Sequence, residues 1–439
     1  MVDPAVPAAF DAERAARRNY RLSIWNGILF NVGETFIETA TIVALFVSGL
    51  TDRGFVIGLA VALQEVGWYL PQILTISLVE SLRRRLPLYA WMAFLRTGGL
   101  LAATLAILLL GDRHPGWTLG LFLVAYSVYS FAGGFAAVSF YDVVGRTIPL
   151  AWHARMWAWR LFFGGLLAAA CGFLLQRILD LPDFSMRFGL LFGAATLFIG
   201  AGVAAFCFSH EPPVETGPKA RSLAEHLGES ARVAWRDPAF RALFETRVAL
   251  AAAFTAAPFF VLHALGPLGF EPRAVGGFVT ARIAGFVLAN LWWQRVATRR
   301  GHRSLMRGVA LASALAPALV IAATFAPAAA RPALLLAAFA LVGAAVSGTN
   351  IGYQSLLLAI APEARRPSYV GLMNSFIGPF MLLPAVAGGL LDLTSPLVVF
   401  AGSLAAGLAA AGLASRLPAT PAAEAPRSPG PEGEPAHGS

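Results

Sequence analysis

The sequence predicts an all-α polytopic membrane protein: twelve transmembrane helices in two repeated six-helix halves. Three observations carry that prediction. Twelve apolar runs fill the chain from Leu22 to Leu417, each near or above the ~20 residues a helix needs to cross a hydrocarbon core about 30 Å thick. The composition, 57% hydrophobic and 13% charged with a mean hydropathy of +0.67, cannot clothe a single soluble core. Arg-rich loops alternate with Arg-poor ones along the whole chain.

The runs cover 22–50, 55–78, 88–110, 117–144, 157–179 and 188–208, then 242–265, 275–293, 308–325, 332–360, 369–391 and 397–415. Between the two sets lies a polar stretch with Pro212, Pro213 and Pro218 and a short amphipathic pattern over 222–235. The expected organisation is therefore an N-terminal segment 1–21, a bundle 22–208, a linker 209–241, a second bundle 242–417 and a tail 418–439. That tail is rich in Pro, Ala, Glu and Gly, buries no core and is expected to be disordered. Internal repetition supports the division. FYDVVGRTIP from Phe140 and GYQSLLLAIAP from Gly352 each close a fourth run, and ESLRRRLPLY from Glu80 has a partner in TRRGHRSLM from Thr298.

Orientation follows from the loops, because Lys and Arg are retained on the cytoplasmic side. Of 33 basic residues, 24 fall on the face that carries both termini, including Arg83 to Arg85, Arg146, Arg155, Arg160, Lys219 and Arg299 to Arg307. The opposite face holds Arg53, Arg113, Arg177, Arg187, Arg273 and Arg331, while Arg96, Arg247 and Arg282 lie within runs. Both termini are thus expected in the cytoplasm, and the net charge of +9 reports topology and contact with anionic lipid. No polar basic domain exists to hold nucleic acid. The N-terminus lacks a signal peptide's cleavage pattern, so the first helix serves as the insertion signal. Cys171 and Cys207 both sit in apolar runs, which excludes an external disulfide framework and fits small buried hydrophobes.

With these loops in place, the chain resembles the Major Facilitator Superfamily of secondary transporters. That family's signature between its second and third helices runs Gly, three residues, Asp, Arg, any residue, Gly, then basic residues. Arg299, Gly301 and Arg303 match it in the second half, with Thr298 for Asp and Gln294 for the first Gly. In the first half Glu80 stands for the acid and Arg84 and Arg85 for the basic end, with Arg83 at the glycine position. The resemblance implies two bundles about a pseudo-twofold axis, a substrate site near the midplane lined by spans 1, 4, 7 and 10, and alternating access by rocking.

Charges in hydrocarbon cost about 2.5–3.5 kcal/mol on insertion scales, so each needs a reason. Span 1 carries Asn31, Glu34, Glu38 and Thr41, spaced as one polar stripe, with Glu34 about 18 Å into the run. Two carboxylates one turn apart in low dielectric disfavour each other's charge, so one holds a proton near neutral pH, as proton coupling requires. The alternative is a structural acid, permanently protonated or paired with Arg. Glu65 of span 2 and Arg96 of span 3 coincide in depth; a structural ion pair is the first reading and a proton relay the second. Tyr126 and Tyr129 on span 4, Arg282 on span 8, Asn350, Tyr353 and Gln354 on span 10, and Asn374 on span 11 complete a candidate polar and aromatic pocket. At the cytoplasmic ends, Glu80, Arg84, Arg85, Asp142 and Arg146 in the first half, and Arg299, Arg303, Glu363 and Arg365 in the second, are candidate gate residues; the alternative is solvated loop charge.

The reading that unites these features is a secondary transporter of a small organic molecule, acting as a monomer among the lipids of a bacterial plasma membrane. It is expected to work by proton-coupled efflux, with no cofactor and no metal. No phosphate-cradling loop with Lys and Ser/Thr occurs, so ATP is not the driver. An uptake permease of the same fold is the alternative. The family's exporters carry Gly-Pro on their fifth helix, whereas here Gly378-Pro379 lies on span 11, so direction stays open. A membrane enzyme would need a cluster of His, Asp or Glu at one face, and the seven histidines are scattered. A sensor would need a soluble output domain.

Overall fold

A computed structural model describes residues 5–72, 82–213, 232, 235–362 and 366–419. Among them the chain is helical and forms no strand. The N-terminal helices are α1 (Ala5–Phe36), α2 (Ala44–Ser48), α3 (Gly54–Tyr69), α4 (Leu86–Leu110), α5 (Pro115–Thr147), α6 (Leu150–Leu179) and α7 (Phe184–Cys207). The C-terminal helices are α8 (Pro238–Ala253), α9 (Ala257–Leu265), α10 (Ala274–Phe325), α11 (Arg331–Ile360), α12 (Arg366–Ile377), α13 (Leu383–Leu393) and α14 (Pro396–Ala414). Among the described residues, ten segments are long and apolar enough to cross a membrane, and Gly54–Tyr69 is a shorter apolar helix. Leu109, Phe173 and Phe325 are at least 70% exposed. Side chains of that kind suit lipid, and the molecule is a multi-pass membrane protein.

Where the apolar runs were read as unbroken, the backbone breaks. Span 1 stops at Phe36 and restarts as a π-helical turn, Thr39–Val43. Glu38 caps that turn: its carboxylate accepts the Ala40 N–H at 3.2 Å and its carbonyl accepts those of Thr41, Ile42 and Val43. Span 7 divides between α8 and α9, and span 11 passes through the 3₁₀ turn Gly378–Leu382. Conversely, the loop expected between spans 8 and 9 shrinks to one residue. At 52 residues α10 would be about 78 Å long, more than twice the hydrocarbon thickness, but Gly301 (φ 77°, ψ 166°) breaks it. Only glycine takes that conformation without strain, which gives the signature glycine at this position its physical reason.

Two other boundaries move. Helix α1 begins well before residue 22, and α8 starts at Pro238, capped by the Asp237 side chain at 2.8 Å from the Ala239 N–H. Of the amphipathic pattern near 222–235 only residues 232 and 235 are described, and the tail beyond residue 419 lies outside the described residues.

The N-terminal and C-terminal helices meet along two seams built from glycine. On α3, a Cβ at Gly54 or Gly58 would strike the backbone of Gly388 or Pro384 of α13. Asp392 secures this seam by accepting the N–H groups of Gly54 and Phe55 at 2.5 and 3.0 Å, capping α3 from the other set of helices. On α6, Gly172 lies against Thr280, and Gly276 of α10 against Gly172 and Gln176. In lipid no hydrophobic drive brings helices together, so small residues that permit close packing take that part. Both seams lie toward the ends of the helices joined by the Arg-poor loops.

Candidate functional site

Beyond the seams, the two sets of helices part around a cavity of about 670 Å³. Its wall takes Glu34, Glu38, Gln64, Glu65 and Arg96 from the N-terminal side and Arg247, Arg282, Asn290, Asn350 and Gln354 from the C-terminal side. It reaches Tyr141, Trp157 and Gln354, within about 9–11 Å of the Arg-rich ends of their helices at 1.5 Å per residue.

Glu34 is tied down. Its Oε1 faces Arg96 Nη2 at 3.3 Å and accepts from the Tyr129 hydroxyl, while Oε2 accepts from Gln64 Nε2 at 2.7 Å. Gln64 in turn accepts from Tyr126 at 2.8 Å and from Thr39 at 2.5 Å. Arg96 also donates to Tyr129 Oη at 2.8 Å, with its guanidinium 4.5 and 4.7 Å from the ring centres of Tyr129 and Phe30. The expected Glu65–Arg96 pair therefore does not form: the depths agree, but Arg96 turns toward α1 and α5. Tyr126 and Tyr129 are fully buried and support the wall from behind rather than line the pocket.

Glu38, although four residues from Glu34, has separate partners. The break after Phe36 turns it toward α10, where its Oε1 meets Arg282 Nη1 at 2.5 Å, and Thr41 donates to its Oε2 at 2.6 Å. The stripe read from spacing is thus two sites, one inside the N-terminal helices and one bridging to the C-terminal helices. Asn31 belongs to neither: it donates to its own helix at Gly27 O, 2.7 Å, beside Gly164.

Glu65 is different. It is exposed to the cavity and joins no ion pair or hydrogen bond among the described residues. Arg247, Arg282 and Glu34 line the same cavity.

On the C-terminal side, Arg247 is 7% exposed and has no carboxylate partner among the described residues. It donates to Tyr69 Oη at 3.2 Å and lies 5.2 Å from the Tyr353 ring centre. Tyr353 donates to Asn374 Oδ1 at 2.8 Å, and Asn374 donates to Gln72 Oε1 at 2.9 Å. Tyr353 and Asn374 thus buttress Arg247 instead of lining the pocket, whereas Asn350 and Gln354 are exposed to it. Sequence reasoning passed over Arg247; its place inside an apolar run was the available signal.

The gate candidates form a network only in part. Arg146 binds Asp142 at 2.5 Å and Glu211 at 2.5 Å, Arg85 lies 3.5 Å from Asp142, and Glu211 accepts the N–H groups of Arg85 and Leu86 at 2.8 and 2.7 Å. Glu211, 5% exposed, was missed because it stands in a polar stretch with no apolar run to mark it. Arg84 and Arg299 are exposed, and Arg303 donates to Leu417 O at 2.5 Å, fastening α14. Arg160, counted among the loop charges, is buried inside α6 and bonds to Ser23 O and Asn26. Glu80, Glu363 and Arg365 lie outside the described residues.

The family model described as Major Facilitator Superfamily matches residues 248–437. Solved transporters match the fold over nearly the whole chain. The chain shares the fold of these solved transporters. A mutant of the nucleoside transporter NupG superposes with a TM-score of 0.68 at 16% identity, over 92% of this chain and 99% of that one. The xylose transporter XylE from E. coli, in a partially occluded inward-open conformation, gives 0.66 at 12%, over 93% and 99%. A bacterial homologue of the iron transporter ferroportin gives 0.59 at 14%, over 91% and 98%. No curated protein sequence matches. At these identities the similarity speaks for the fold, and the neighbours' different cargoes leave the substrate to this chain's own residues.

Proposed function

We propose that the protein is a secondary transporter that exports a small organic molecule in exchange for protons, by alternating access between the two sets of helices. The observation that carries this reading is the carboxylate of Glu65, which has no ion pair or hydrogen bond among the described residues and is open to a cavity that both sets line. Glu34 and Glu38 are each engaged by an arginine, whereas Glu65 has no such partner among the described residues that a proton would displace. When a proton and a substrate compete for one carboxylate, binding of one requires release of the other, which is exchange. An inward proton gradient then drives the substrate out.

Twelve spans follow if α3 crosses as a short helix and Gly301 divides α10 into two, adding two crossings to the ten segments. The positive-inside rule then sets both termini in the cytoplasm of a plasma membrane. In that orientation the glycine seams close the outer side and the cavity faces inward, with the Arg85, Asp142, Arg146 and Glu211 network at its inner rim. The test is proton movement in proteoliposomes holding a trapped pH dye. Addition of a transported compound should acidify or alkalinise the lumen according to its direction of exchange. Transport that proceeds at the same rate and extent with the gradient collapsed would contradict proton exchange.

A further inference from the structure

Four of the charged side chains lining the cavity are joined in pairs: Glu34 with Arg96 and Glu38 with Arg282. Two are left over. Among the described residues, Glu65 on α3 has no ion-pair or hydrogen-bond partner, and Arg247 on α8 has a hydroxyl as its only hydrogen-bond acceptor and its buried Nε unmatched. An arginine nine-tenths buried without an acid carries a desolvation cost that a bound anion removes. Both groups line the same cavity, one from each set of helices, and form no ion pair with each other, so the cavity is flanked by one cation and one anion.

We propose that the substrate is a small zwitterion, its carboxylate on Arg247 and its ammonium on Glu65. The guanidinium presents a fork that matches a carboxylate. The Tyr353 ring and the Asn374–Gln72 hydrogen bonds fix the shelf beneath it. Trp68, one turn from Glu65 on α3, and Phe254, two turns from Arg247 beyond the end of α8, supply apolar surface for the remainder of the molecule. A cavity of about 670 Å³ falls within the ordinary range for ligands of this size. Because Glu65 belongs to the N-terminal helices and Arg247 to the C-terminal ones, a molecule carrying both charges spans the two bodies that must move together. The inference rests on the transport reading above and identifies the chemical class that it carries.

The test is binding to purified full-length protein, read as a shift in unfolding temperature and titrated by calorimetry. The probes are phenylalanine, phenethylamine, which lacks the carboxylate, and 3-phenylpropionate, which lacks the amine, together with α-, β- and γ-amino acids bearing aliphatic side chains. At least one zwitterion should bind ten-fold or more tightly than either singly charged relative of the same frame. Arg247→Gln should abolish the preference over the amine, and Glu65→Gln the preference over the acid, each without affecting the other. If Arg247→Gln does not fold, Arg247→Lys, which keeps the charge and loses the fork, should weaken the zwitterion and leave the amine unchanged. Equal affinity for all three members of a frame, or no response to any zwitterion, overturns the inference. Uptake of a neutral or singly charged compound by proteoliposomes that ignore every zwitterion would overturn the substrate class while leaving transport itself intact.

Discussion

Glu34 and Glu65 stand on helices joined through Gln64, yet their surroundings assign them opposite parts. Glu34 is an acceptor for Arg96, Tyr129 and Gln64, so removing its charge leaves a buried guanidinium without its acid. Glu34→Gln should therefore lower stability by about 1–3 kcal/mol, read as an earlier thermal unfolding of the purified protein, and leave gradient-driven exchange in the surviving fraction. Unchanged unfolding together with lost coupling would transfer the coupling role to Glu34. The charged residues themselves were legible in the sequence, because an ionisable group in an apolar run carries an insertion cost that needs a reason. Their pairing was not. Equal depth suggested Glu65 with Arg96, but depth along a helix says nothing of azimuth, and Arg96 faces α1. The spacing of Glu34 and Glu38 suggested one stripe, which holds only if the helix continues between them.

At the scale of elements, length and polarity foretold nearly every helix, since a crossing needs a set number of apolar residues and little else. The breaks escaped because each depends on a local backbone event: a carboxylate restarting a turn at Glu38, a positive φ at Gly301, a 3₁₀ turn at Gly378–Leu382. The seams escaped for a related reason, since a glycine reads the same whether it faces lipid or another helix. They now make a prediction of their own. A side chain at Gly58 would meet the Pro384 carbonyl, which backbone cannot yield cheaply. Gly58→Leu should thus force α3 and α13 apart at the Arg-poor end while each set of helices keeps its own packing. A cysteine placed at Phe55 should then react faster with an impermeant thiol reagent added outside; an unchanged rate would mean that this seam does not hold the cavity shut.

For the whole molecule, the loop charges determine which way it stands in the membrane. Arg84→Cys and Arg300→Cys should resist an impermeant reagent in intact cells and react after permeabilisation, whereas Arg113→Cys should react at once. The reverse pattern would invert the orientation, and the cavity would then face outward. Under the proposed alternating access, the two sets of helices, held by glycine seams at one end and a rim network at the other, open the cavity to one face at a time. The central claim is that this motion is coupled to a proton through Glu65. The most direct measurement compares wild type with Glu65→Gln in proteoliposomes loaded with a transported compound. It records exchange of labelled for unlabelled compound at equal pH, and net movement under an imposed pH gradient. Glutamine keeps the shape but can neither gain nor lose the proton, so exchange should persist, weakened to the extent that the substrate uses the charge, while gradient-driven accumulation disappears. Full accumulation in Glu65→Gln would contradict the account.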